Sequence, residues 1–328
     1  MRAVLLNGFG NVDVLSIGEC QSPVMGEGDL LVRVKATALN RADLLQRRGL
    51  YPPPKGESEI LGLEMAGEVV GVGANVTGWK VGDRVCSLLP GGGYAELAVI
   101  PAGMAIRLPE HLSFEEGAAI PEVFLTAYLN LFWLGGLSQE DTVLVHAGAS
   151  GVGTAAIQLI REMGAKCLVT AGSSTKIDRC LELGAAAGWN YKDGSFLNWV
   201  KDQTNGKGVQ IILDFIGASY FADNIKSLAI DGRLVIIGTM GGAKVNDVNL
   251  SLILSRRLQI IGTALRTRTK EDKVKLTADF TQFASSRFEK GQLKPIIDSI
   301  YDWTEVAQAH TYMETNANIG KIVLKVSE

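Results

Sequence analysis

The segment HAGASGVGTAAIQ, which runs from residue 146 to residue 158, has the small residues of a loop that holds a phosphate. Its glycines stand at positions 148, 151 and 153, whereas a G-x-G-x-x-G fingerprint needs them at the first, third and sixth places. The loop follows an apolar run and opens an amphipathic helix, and the N–H groups at a helix start favour a pyrophosphate. Close packing of strand against helix is the alternative interpretation. We expect phosphate contacts from Ser150, Gly151, Val152 and Gly153.

The next apolar run ends in VTAGSSTK, and this end determines which dinucleotide is preferred. An NAD site usually has an Asp or Glu there that bonds the ribose 2′-hydroxyl. Here the positions are Gly172, Ser173 and Lys176, and the first carboxylate is Asp178. A lysine and a serine suit a 2′-phosphate, which a carboxylate would repel. The sequence therefore predicts NADPH as the cofactor. The alternative interpretation of Lys176 is an ordinary solvent-exposed lysine on a helix.

The elements around this loop alternate in a way that is typical of a parallel sheet. From about residue 122 to residue 265, continuous apolar strands alternate with amphipathic helices, which predicts βαβ units and a doubly wound sheet. Before residue 122, short apolar or alternating runs separated by Gly and Pro predict a compact β-rich fold. After residue 265 come a charged helical stretch, a helix over TEVAQAHTYME with its threonine as N-cap, and the strand GKIVLKV. The fold class is α/β, with the domains 1–121, 122–265 and 266–328.

Composition narrows the class of protein further. The net charge of −3 over 328 residues gives no field that would attract nucleic acid or an anionic membrane. The four cysteines form no C-x-x-C pair, as expected of reduced intracellular thiols. The apolar run 123–137 is shorter than the roughly 20 residues of a bilayer span, and we predict a buried core helix. We expect a cytoplasmic protein with no nucleic-acid or membrane partner.

Six motifs in order resemble one family. They are NRADLLQRRGLYPPP, LGLEMAGEV, GYAELAV, HLSFEEGAAIP, HAGASGVGTAAIQ and NIGKIVLKV. Together they resemble the zinc-independent quinone oxidoreductases of the medium-chain dehydrogenase/reductase superfamily, in their stress- and apoptosis-inducible branch. The resemblance implies a GroES-like β-rich domain completed by the C-terminal segment, an inserted Rossmann domain, and NADPH in the cleft between them. Ser150 departs from the G-G-V-G text of many such enzymes, which affects the loop's shape rather than its role.

The pattern of metal ligands is missing from the β-rich part. Zinc relatives carry a Cys where this chain has Asn40, and a G-H-E triplet where it has Gly62, Leu63 and Glu64. Structural zinc needs a quartet of ligands, usually cysteines, and no histidine precedes His111. We therefore expect no metal, with Glu64 as a hydrogen-bonding residue. A substrate that accepts hydride without a Lewis acid is then required, and quinones and activated enones meet this condition.

The resemblance also implies roles for single residues. It places Asn40 and Tyr51 beside the nicotinamide, where Tyr51 donates to a developing oxyanion and Asn40 orients the substrate. Simple packing of Tyr51 beside its prolines and helix capping by Asn40 are the structural alternatives. Further cofactor positions implied by the family are Thr126, Tyr191, Gly238, Met240, Leu265, Arg266 and Lys321. Tyr191 matches a residue near the adenosine 2′-phosphate. Asp214 is expected to form a turn, and His146 to be packed or bonded to backbone.

Three functions remain open on the sequence. The first is a zinc-free oxidoreductase that transfers hydride from NADPH to quinones. The second is an NADPH-dependent enone or enoyl-thioester reductase, and the third is a non-enzymatic NADPH-binding sensor or partner-binding protein. By analogy we also expect a homodimer or homotetramer, formed through the edge strand LQIIGTAL.

Overall fold

The computed structural model describes residues 1–327 and divides them into two compact units. Unit 1 contains Met1–Leu125 together with the C-terminal segment that begins at Arg266, and unit 2 contains Thr126–Leu265. Each unit has its own sheet and its own hydrophobic core.

The elements follow one another in chain order. Up to residue 125 they are β1 (Arg2–Leu6), β2 (Leu15–Glu19), β3 (Asp29–Ala38), α1 (Arg41–Arg47), β4 (Glu64–Val72), β5 (Arg84–Leu88), β6 (Leu97–Pro101), β7 (Ile106–Arg107), α2 (Phe114–Ala118) and the start of α3 (Pro121–Tyr128). In unit 2 they are β8 (Thr142–Val145), α4 (Gly151–Glu162), β9 (Lys166–Ala171), α5 (Ser174–Leu183), β10 (Ala187–Asn190), α6 (Leu197–Gln203), β11 (Val209–Asp214), α7 (Ala218–Ser227), β12 (Leu228–Ile236), α8 (Leu250–Ser255) and β13 (Gln259–Gly262). The chain then continues with α9 (Lys270–Glu289), β14 (Ile297–Asp302), α10 (Val306–Glu314) and β15 (Lys321–Lys325).

The main sheet of unit 1 takes strands from both ends of the chain. Its order is β14-β15-β3-β4-β5-β7, with β6 also paired to β3. The last strand runs antiparallel to β3, with Val323 opposite Ala38. Alternating buried positions along β3, together with Met65 and Val69 of β4, contribute to one core, which also contains Trp303 and the apolar face of α10. The C-terminal segment therefore completes the sheet that the N-terminal part begins.

The sheet of unit 2 is parallel throughout, in the order β10-β9-β8-β11-β12-β13. Its central strands are buried on both faces, which explains their continuous apolar text. This is the doubly wound dinucleotide-binding order, in which the direction of strand addition reverses between β8 and β11, and ligands bind at the carboxyl ends of such strands. The predicted fold class is confirmed: a GroES-like sheet and a Rossmann-type parallel sheet.

The apolar run 123–137 forms a buried helical segment. The apolar run 123–137 is helical and then π-helical over Leu129–Leu134. The segment Phe114–Leu134 is long and apolar enough to cross a membrane by length and composition only, but 78% of its most apolar window is buried, as in the core helix of a folded domain.

The predicted threonine N-cap of the last helix is wrong. Asp302 caps a preceding 3₁₀ turn by accepting from the Thr304 N–H at 2.9 Å, and α10 begins only at Val306.

Gly67 makes the close pairing of β3 and β4 testable. A Cβ at Gly67 would stand 2.1 Å from the carbonyl oxygen of Arg33, which is backbone and has no room to move away. We expect Gly67→Ala to destabilise unit 1 by about 1–3 kcal/mol, as overpacking does. Gly28→Ala is the matched control, because a Cβ there meets nothing within 4 Å. Denaturant unfolding followed by circular dichroism measures both; equal stability of the two variants would contradict the register.

Candidate active site

The glycine loop of unit 2 connects β8 to α4. Ser150 occupies the N-cap position of α4, and its Oγ accepts from the Gly153 N–H at 3.1 Å. The first N–H groups of a helix have no partner within the helix. In α4 these include the N–H groups of Gly151 and Val152, which follow the cap. The loop therefore offers unsatisfied donors at the positive end of a 12-residue helix.

The irregular glycine spacing has a packing reason. A Cβ at Gly153 would stand 2.5 Å from the carbonyl oxygens of both Ala147 and Gly148, and a Cβ at Gly148 would stand 2.8 Å from Val169. Ala147 itself has φ of +50°, so the strand turns sharply before the helix begins. Glycines at 148 and 153 let the loop fold back against its own strand and against β9. The alternative interpretation, close packing, is therefore also correct for these two positions.

The carboxyl ends of β9 and β10 bring four predicted residues together. Ser173 is the N-cap of α5, where its Oγ accepts from the Lys176 N–H at 3.3 Å. Tyr191 follows β10 and is 45% exposed, and its hydroxyl would stand 2.4 Å from a Cβ at Gly172. A hydroxyl, a lysine and a phenol thus share one edge of the sheet, and no carboxylate lies between the end of β9 and Asp178. This group suits a phosphate on the adenosine ribose.

A buried polar network supports the glycine loop from below. Asn224 donates to Asp214 Oδ2 at 3.1 Å, and its own Oδ1 lies 2.7 Å from His146 Nε2. His146 Nε2 therefore carries the proton, while Nδ1 accepts from the hydroxyl of Thr170 at 2.9 Å. Burial lowers the pKa of His146 to about 4, so the ring is neutral. His146 is packed as expected, but it bonds side chains rather than backbone.

Asp214 forms the predicted turn at the end of β11. Its Oδ1 accepts from the Ile216 and Gly217 N–H groups at 2.7 and 3.1 Å. Burial nevertheless raises the pKa of this carboxyl. Because Asp214 also holds Asn224, the turn and the histidine network fix two neighbouring strand ends together.

The remaining predicted positions of unit 2 lie in α3, directly after β12 and at the end of the unit. Thr126 is buried in α3, and its carbonyl accepts from the side-chain amide of Asn130 at 2.8 Å. Gly238 follows β12 and donates to the Asp214 carbonyl at 3.3 Å. Met240 is 58% exposed, whereas Leu265 is buried. The strand-end positions Gly238 and Met240 thus lie beside the turn of Asp214.

Unit 1 contains a buried ion pair at the place where zinc relatives carry ligands. The Lys321 ammonium lies 2.8 Å from Glu64 Oε1, and the two side chains are only 4% and 0% exposed. Lys321 also donates to Asn40 Oδ1 at 2.7 Å and to the Leu39 carbonyl at 2.5 Å. An ammonium has three donors, so all of them are satisfied within unit 1. Lys321 therefore joins Glu64 to Asn40, and its place among the residues that face the cofactor or the cleft stays a prediction.

Glu64 connects this pair to the start of α3. Its Oε1 accepts from Asn40 Nδ2 at 2.9 Å, and its Oε2 accepts from the Glu122 N–H at 2.8 Å. A carboxylate at a helix N-terminus is stabilised by the helix dipole. Asn40 is the N-cap residue of α1, but its side-chain atoms bond to Lys321 and Glu64. Asn40 therefore begins α1 and belongs to the polar cluster, and its role in orienting the substrate stays a prediction.

Tyr51 and Arg266 form a second group in unit 1. The Arg266 guanidinium lies 5.2 Å from the centre of the Tyr51 ring. Arg266 is only 6% exposed; it donates to the Pro90 carbonyl at 2.8 Å and to Gln46 Oε1 at 2.7 Å. Its Nη1 is buried without a partner among residues 1–327. The arginine is thus no solvated surface charge, and it keeps one unused donor beside a phenol. Burial raises the pKa of Tyr51, which remains a protonated donor at neutral pH.

Asp43 anchors the cluster to the interior of unit 1. Its carboxyl accepts from the Asn40 N–H at 2.7 Å, from the Gly62 N–H at 3.1 Å and from the Tyr94 hydroxyl at 3.3 Å. Burial raises its pKa to about 6, against the effect of these donors. Behind Tyr94, the ring of His310 lies 3.3 Å away through Nε2, and burial lowers the pKa of that ring to about 3. These contacts fix Asn40 through its backbone.

The described polar side chains of unit 1 do not form a cluster of metal ligands. Within residues 1–327 no group of three or more His, Cys, Asp or Glu side chains is placed to hold a metal ion. At the positions where zinc relatives have Cys and G-H-E, the oxygens of Asn40 and Glu64 are bonded to Lys321 instead. A lysine ammonium thus lies among the polar groups of this site.

Three residues of this polar cluster, Glu122, Tyr94 and His310, were not identified from the sequence. Glu122 directly follows Pro121 at the start of α3, and only the fold brings it over Glu64. Tyr94 and His310 come from chain positions that are 216 residues apart. The carboxyl of Glu122 within HLSFEEGAAIPE, directly after a proline and before an uncharged helix, is the one signal that pointed to a special environment.

Known proteins resemble the chain over its whole length. Residues 26–110 match the alcohol dehydrogenase GroES-like domain, and residues 151–282 match the zinc-binding dehydrogenase domain. A quinone oxidoreductase of Rattus norvegicus is 32% identical over 99% of this chain and 97% of its own. The Escherichia coli quinone oxidoreductase complexed with NADPH has a TM-score of 0.88 and 29% identity, covering 99% of this chain and 100% of its own. The CurK enoyl reductase has a TM-score of 0.86 and 26% identity, with 99% of both chains covered.

The buried ion pair gives the prediction for this site. Lys321→Met leaves Glu64 as a buried charge without its partner, and breaking such a pair costs about 3–5 kcal/mol of unfolding free energy. We expect the double variant Lys321→Met/Glu64→Gln to recover most of that loss, because it removes the charge as well. Denaturant unfolding of the parent, the single and the double variant measures both steps. A single variant as stable as the parent would refute the pairing.

Proposed function

The chain belongs to the quinone oxidoreductase family of the medium-chain dehydrogenase/reductase superfamily, and on this premise we propose that it is an NADPH-dependent quinone oxidoreductase. The observation that carries the proposal is the phosphate loop followed by a strand end without a carboxylate. This combination favours NADPH over NADH. The identity of the electron acceptor is supported by the family.

The residues of unit 2 fit the cofactor. We propose that the N–H groups of Gly151 and Val152, with the hydroxyl of Ser150, hold the pyrophosphate, and that Gly153, whose N–H is bonded to Ser150, lets the loop lie close to it. Ser173, Lys176 and Tyr191 hold the adenosine 2′-phosphate next to Gly172. The nicotinamide half is assigned to Thr126, Gly238, Met240 and Leu265. When bound, NADPH supplies a hydride, which carries two electrons.

The residues of unit 1 provide the hydrogen-bond donors and the positive charge that stabilise the oxygen of the substrate. Tyr51 donates a hydrogen bond to the acceptor oxygen, and the adjacent Arg266 guanidinium, with its unused Nη1 donor, stabilises negative charge that develops there. Asn40 orients the substrate, and its own position is fixed by Lys321 and Asp43. A quinone suits this arrangement because its negative charge spreads over a conjugated ring, so hydrogen-bond donors suffice.

An enone or enoyl-thioester reductase is the second candidate function. It is favoured by the structural likeness to the CurK enoyl reductase. The same donors would stabilise an enolate oxygen. The two functions differ in which acceptor gives the higher kcat/KM.

We further propose that the protein is cytoplasmic and acts on small molecules without a nucleic-acid or membrane partner. We also propose that it forms a homodimer, or a homotetramer built from two dimers. The edge strand β13 supports this proposal, because it ends the sheet of unit 2 and carries Ile260, which is 40% exposed. An unpaired strand edge is a template for pairing with a second copy.

Steady-state kinetics tests the function. We expect NADPH oxidation with ortho- and naphthoquinones, at a kcat/KM above that for NADH and above that for enals or enoyl thioesters. Failure to oxidise NADPH or NADH with any quinone would refute the proposal. Higher kcat/KM with an enal or thioester would establish the second candidate, and tight NADPH binding without turnover would indicate a sensor.

Lys176 tests the choice of cofactor. We expect Lys176→Glu to raise the KM for NADPH about 10-fold or more, since a charge-assisted hydrogen bond contributes about 1.5–3 kcal/mol. The KM for NADH should change little. Lys207→Glu is the control, an exposed lysine of the same unit with the same change of charge. Equal effects on both cofactors would contradict the 2′-phosphate assignment.

Ile260 tests the assembly. We expect Ile260→Lys to convert the dimer to a monomer, because a charge at the strand edge blocks pairing. Ile300→Lys is the matched control, an exposed isoleucine on a strand of unit 1. Light scattering at micromolar concentration measures the mass; a parent protein that is already monomeric would refute the assembly.

A further inference from the structure

Glu122 differs from the other carboxyl groups of unit 1 in what it contacts. It lies at the start of α3 and is partly exposed. Its backbone N–H donates to Glu64 Oε2 at 2.8 Å, but no group within residues 1–327 donates to its own carboxyl oxygens. Glu64, in contrast, accepts from Asn40, from Lys321 and from this N–H. Two glutamates thus meet at one helix end, and only one of them has partners for a negative charge.

This difference determines where a proton is held. Burial and, after it, the charge of the neighbouring Glu64 raise the pKa of Glu122 to about 8, against the effect of the cations nearby. A carboxyl without hydrogen-bond donors, close to an ion-paired carboxylate, keeps its proton at neutral pH. The charged and titratable groups that act on it, or that feel its charge, are Glu64 on β4, Asp43 on α1, Lys321 on β15, Lys273 on α9, Arg266 and Tyr51.

The other acids of the cluster are less suited to proton transfer. Asp43 is fully buried, and its oxygens accept from two backbone N–H groups and from Tyr94. The phenol of Tyr51 is a weak acid whose pKa is raised by burial. Among these acids, Glu122 is partly exposed and its carboxyl accepts no hydrogen bond from residues 1–327. Its charge also acts on Tyr51 and Arg266, so it belongs to the same polar region of unit 1 as these two side chains.

We propose that Glu122 is the proton donor of the reductase, and that it protonates the second oxygen of the quinone. This inference rests on the proposed function. The quinone receives a hydride with two electrons at one carbonyl oxygen, the ring becomes aromatic, and negative charge remains on the other oxygen. The O–H bond of Glu122 breaks as a new O–H bond forms at that oxygen, which completes the hydroquinone. The carboxylate then regains a proton from water through its exposed side.

The pH dependence follows from the sign of the shift. Glu122 must be protonated to donate, so kcat is constant below about pH 8 and falls as the pH rises above it. In Glu122→Gln the amide cannot donate a proton, so this decrease disappears. We expect kcat at neutral pH to fall about 10²-fold, the lower end of general acid catalysis. Glu122→Asp keeps the carboxyl and should keep the decrease at high pH, with a smaller loss of kcat.

A measurement on the cofactor-free protein is independent of turnover. Carbon NMR of protein labelled at glutamate carboxyls should show one group that titrates near pH 8, and its signal should be absent in Glu122→Gln. Glu140→Gln, a change at an exposed glutamate, is the control and should leave kcat, the pH profile and the titration unchanged. Thermal unfolding and NADPH titration of each variant verify that it is folded and binds cofactor.

The outcomes separate the two proposals. A parent enzyme that reduces no quinone refutes the proposed function and the donor role with it. A parent enzyme that reduces quinones, with Glu122→Gln equal to it in kcat and in the decrease at high pH, refutes the donor role alone. So does a titration near pH 8 that persists in Glu122→Gln. Loss of kcat together with loss of the decrease at high pH supports the donor role. Retention of the decrease in Glu122→Asp assigns it to the carboxyl group at this position.

Discussion

The buried pair of Lys321 and Glu64 is the interaction on which the rest of unit 1 depends. It joins the last strand of the chain to β4, and through Asn40 and the Glu122 N–H it also fixes the starts of α1 and α3. Moving two charges out of water costs several kcal/mol for each ion, so such a pair persists only when the geometry is good and the other polar atoms are satisfied. Here every ammonium donor has an acceptor, and three donors reach the carboxylate. One ion pair therefore positions Asn40 and the start of α3, while Arg266 and Tyr51 are held by separate contacts.

The glycine loop of unit 2 is a different case, because the segment 146–158 that we propose binds the pyrophosphate contains no Asp, Glu, Lys or Arg. The donors come from the backbone at the start of α4, and glycines allow the loop to lie against Ala147 and Val169. The neutral His146 network beneath it connects β8, β9 and β11 by hydrogen bonds between side chains. A neutral ring is suitable there, since a buried cation without a partner would destabilise the fold. The strand ends beneath the glycine loop are therefore joined by hydrogen bonds between side chains and not by an ion pair.

Much of this could be predicted from the sequence, and the part that could not has a common cause. The parallel sheet, the β-rich unit and the phosphate loop follow from periodicity and from glycines close together in the chain. The family resemblance identified Asn40, Tyr51 and Arg266, but not what they contact. Lys321 and Glu64 are separated by more than 250 residues, and no local pattern shows that one neutralises the other. Residues whose role depends on a distant charge, such as Glu122, become visible only when the fold brings that charge to them.

The carboxyl groups of unit 1 show that donors, rather than burial alone, set where the proton is held. Asp43 is the more deeply buried of the two shifted acids, yet its pKa reaches only about 6, because two backbone N–H groups stabilise its charge. Glu122 is partly exposed but has no donor, and its pKa reaches about 8. The dipole of α3 does not lower the pKa of Glu122 below that of Asp43, because the Glu122 N–H at the helix start donates its hydrogen bond to Glu64. A helix start that stabilises one carboxylate thereby leaves its neighbour protonated, and so an acid is held ready beside a buried ion pair.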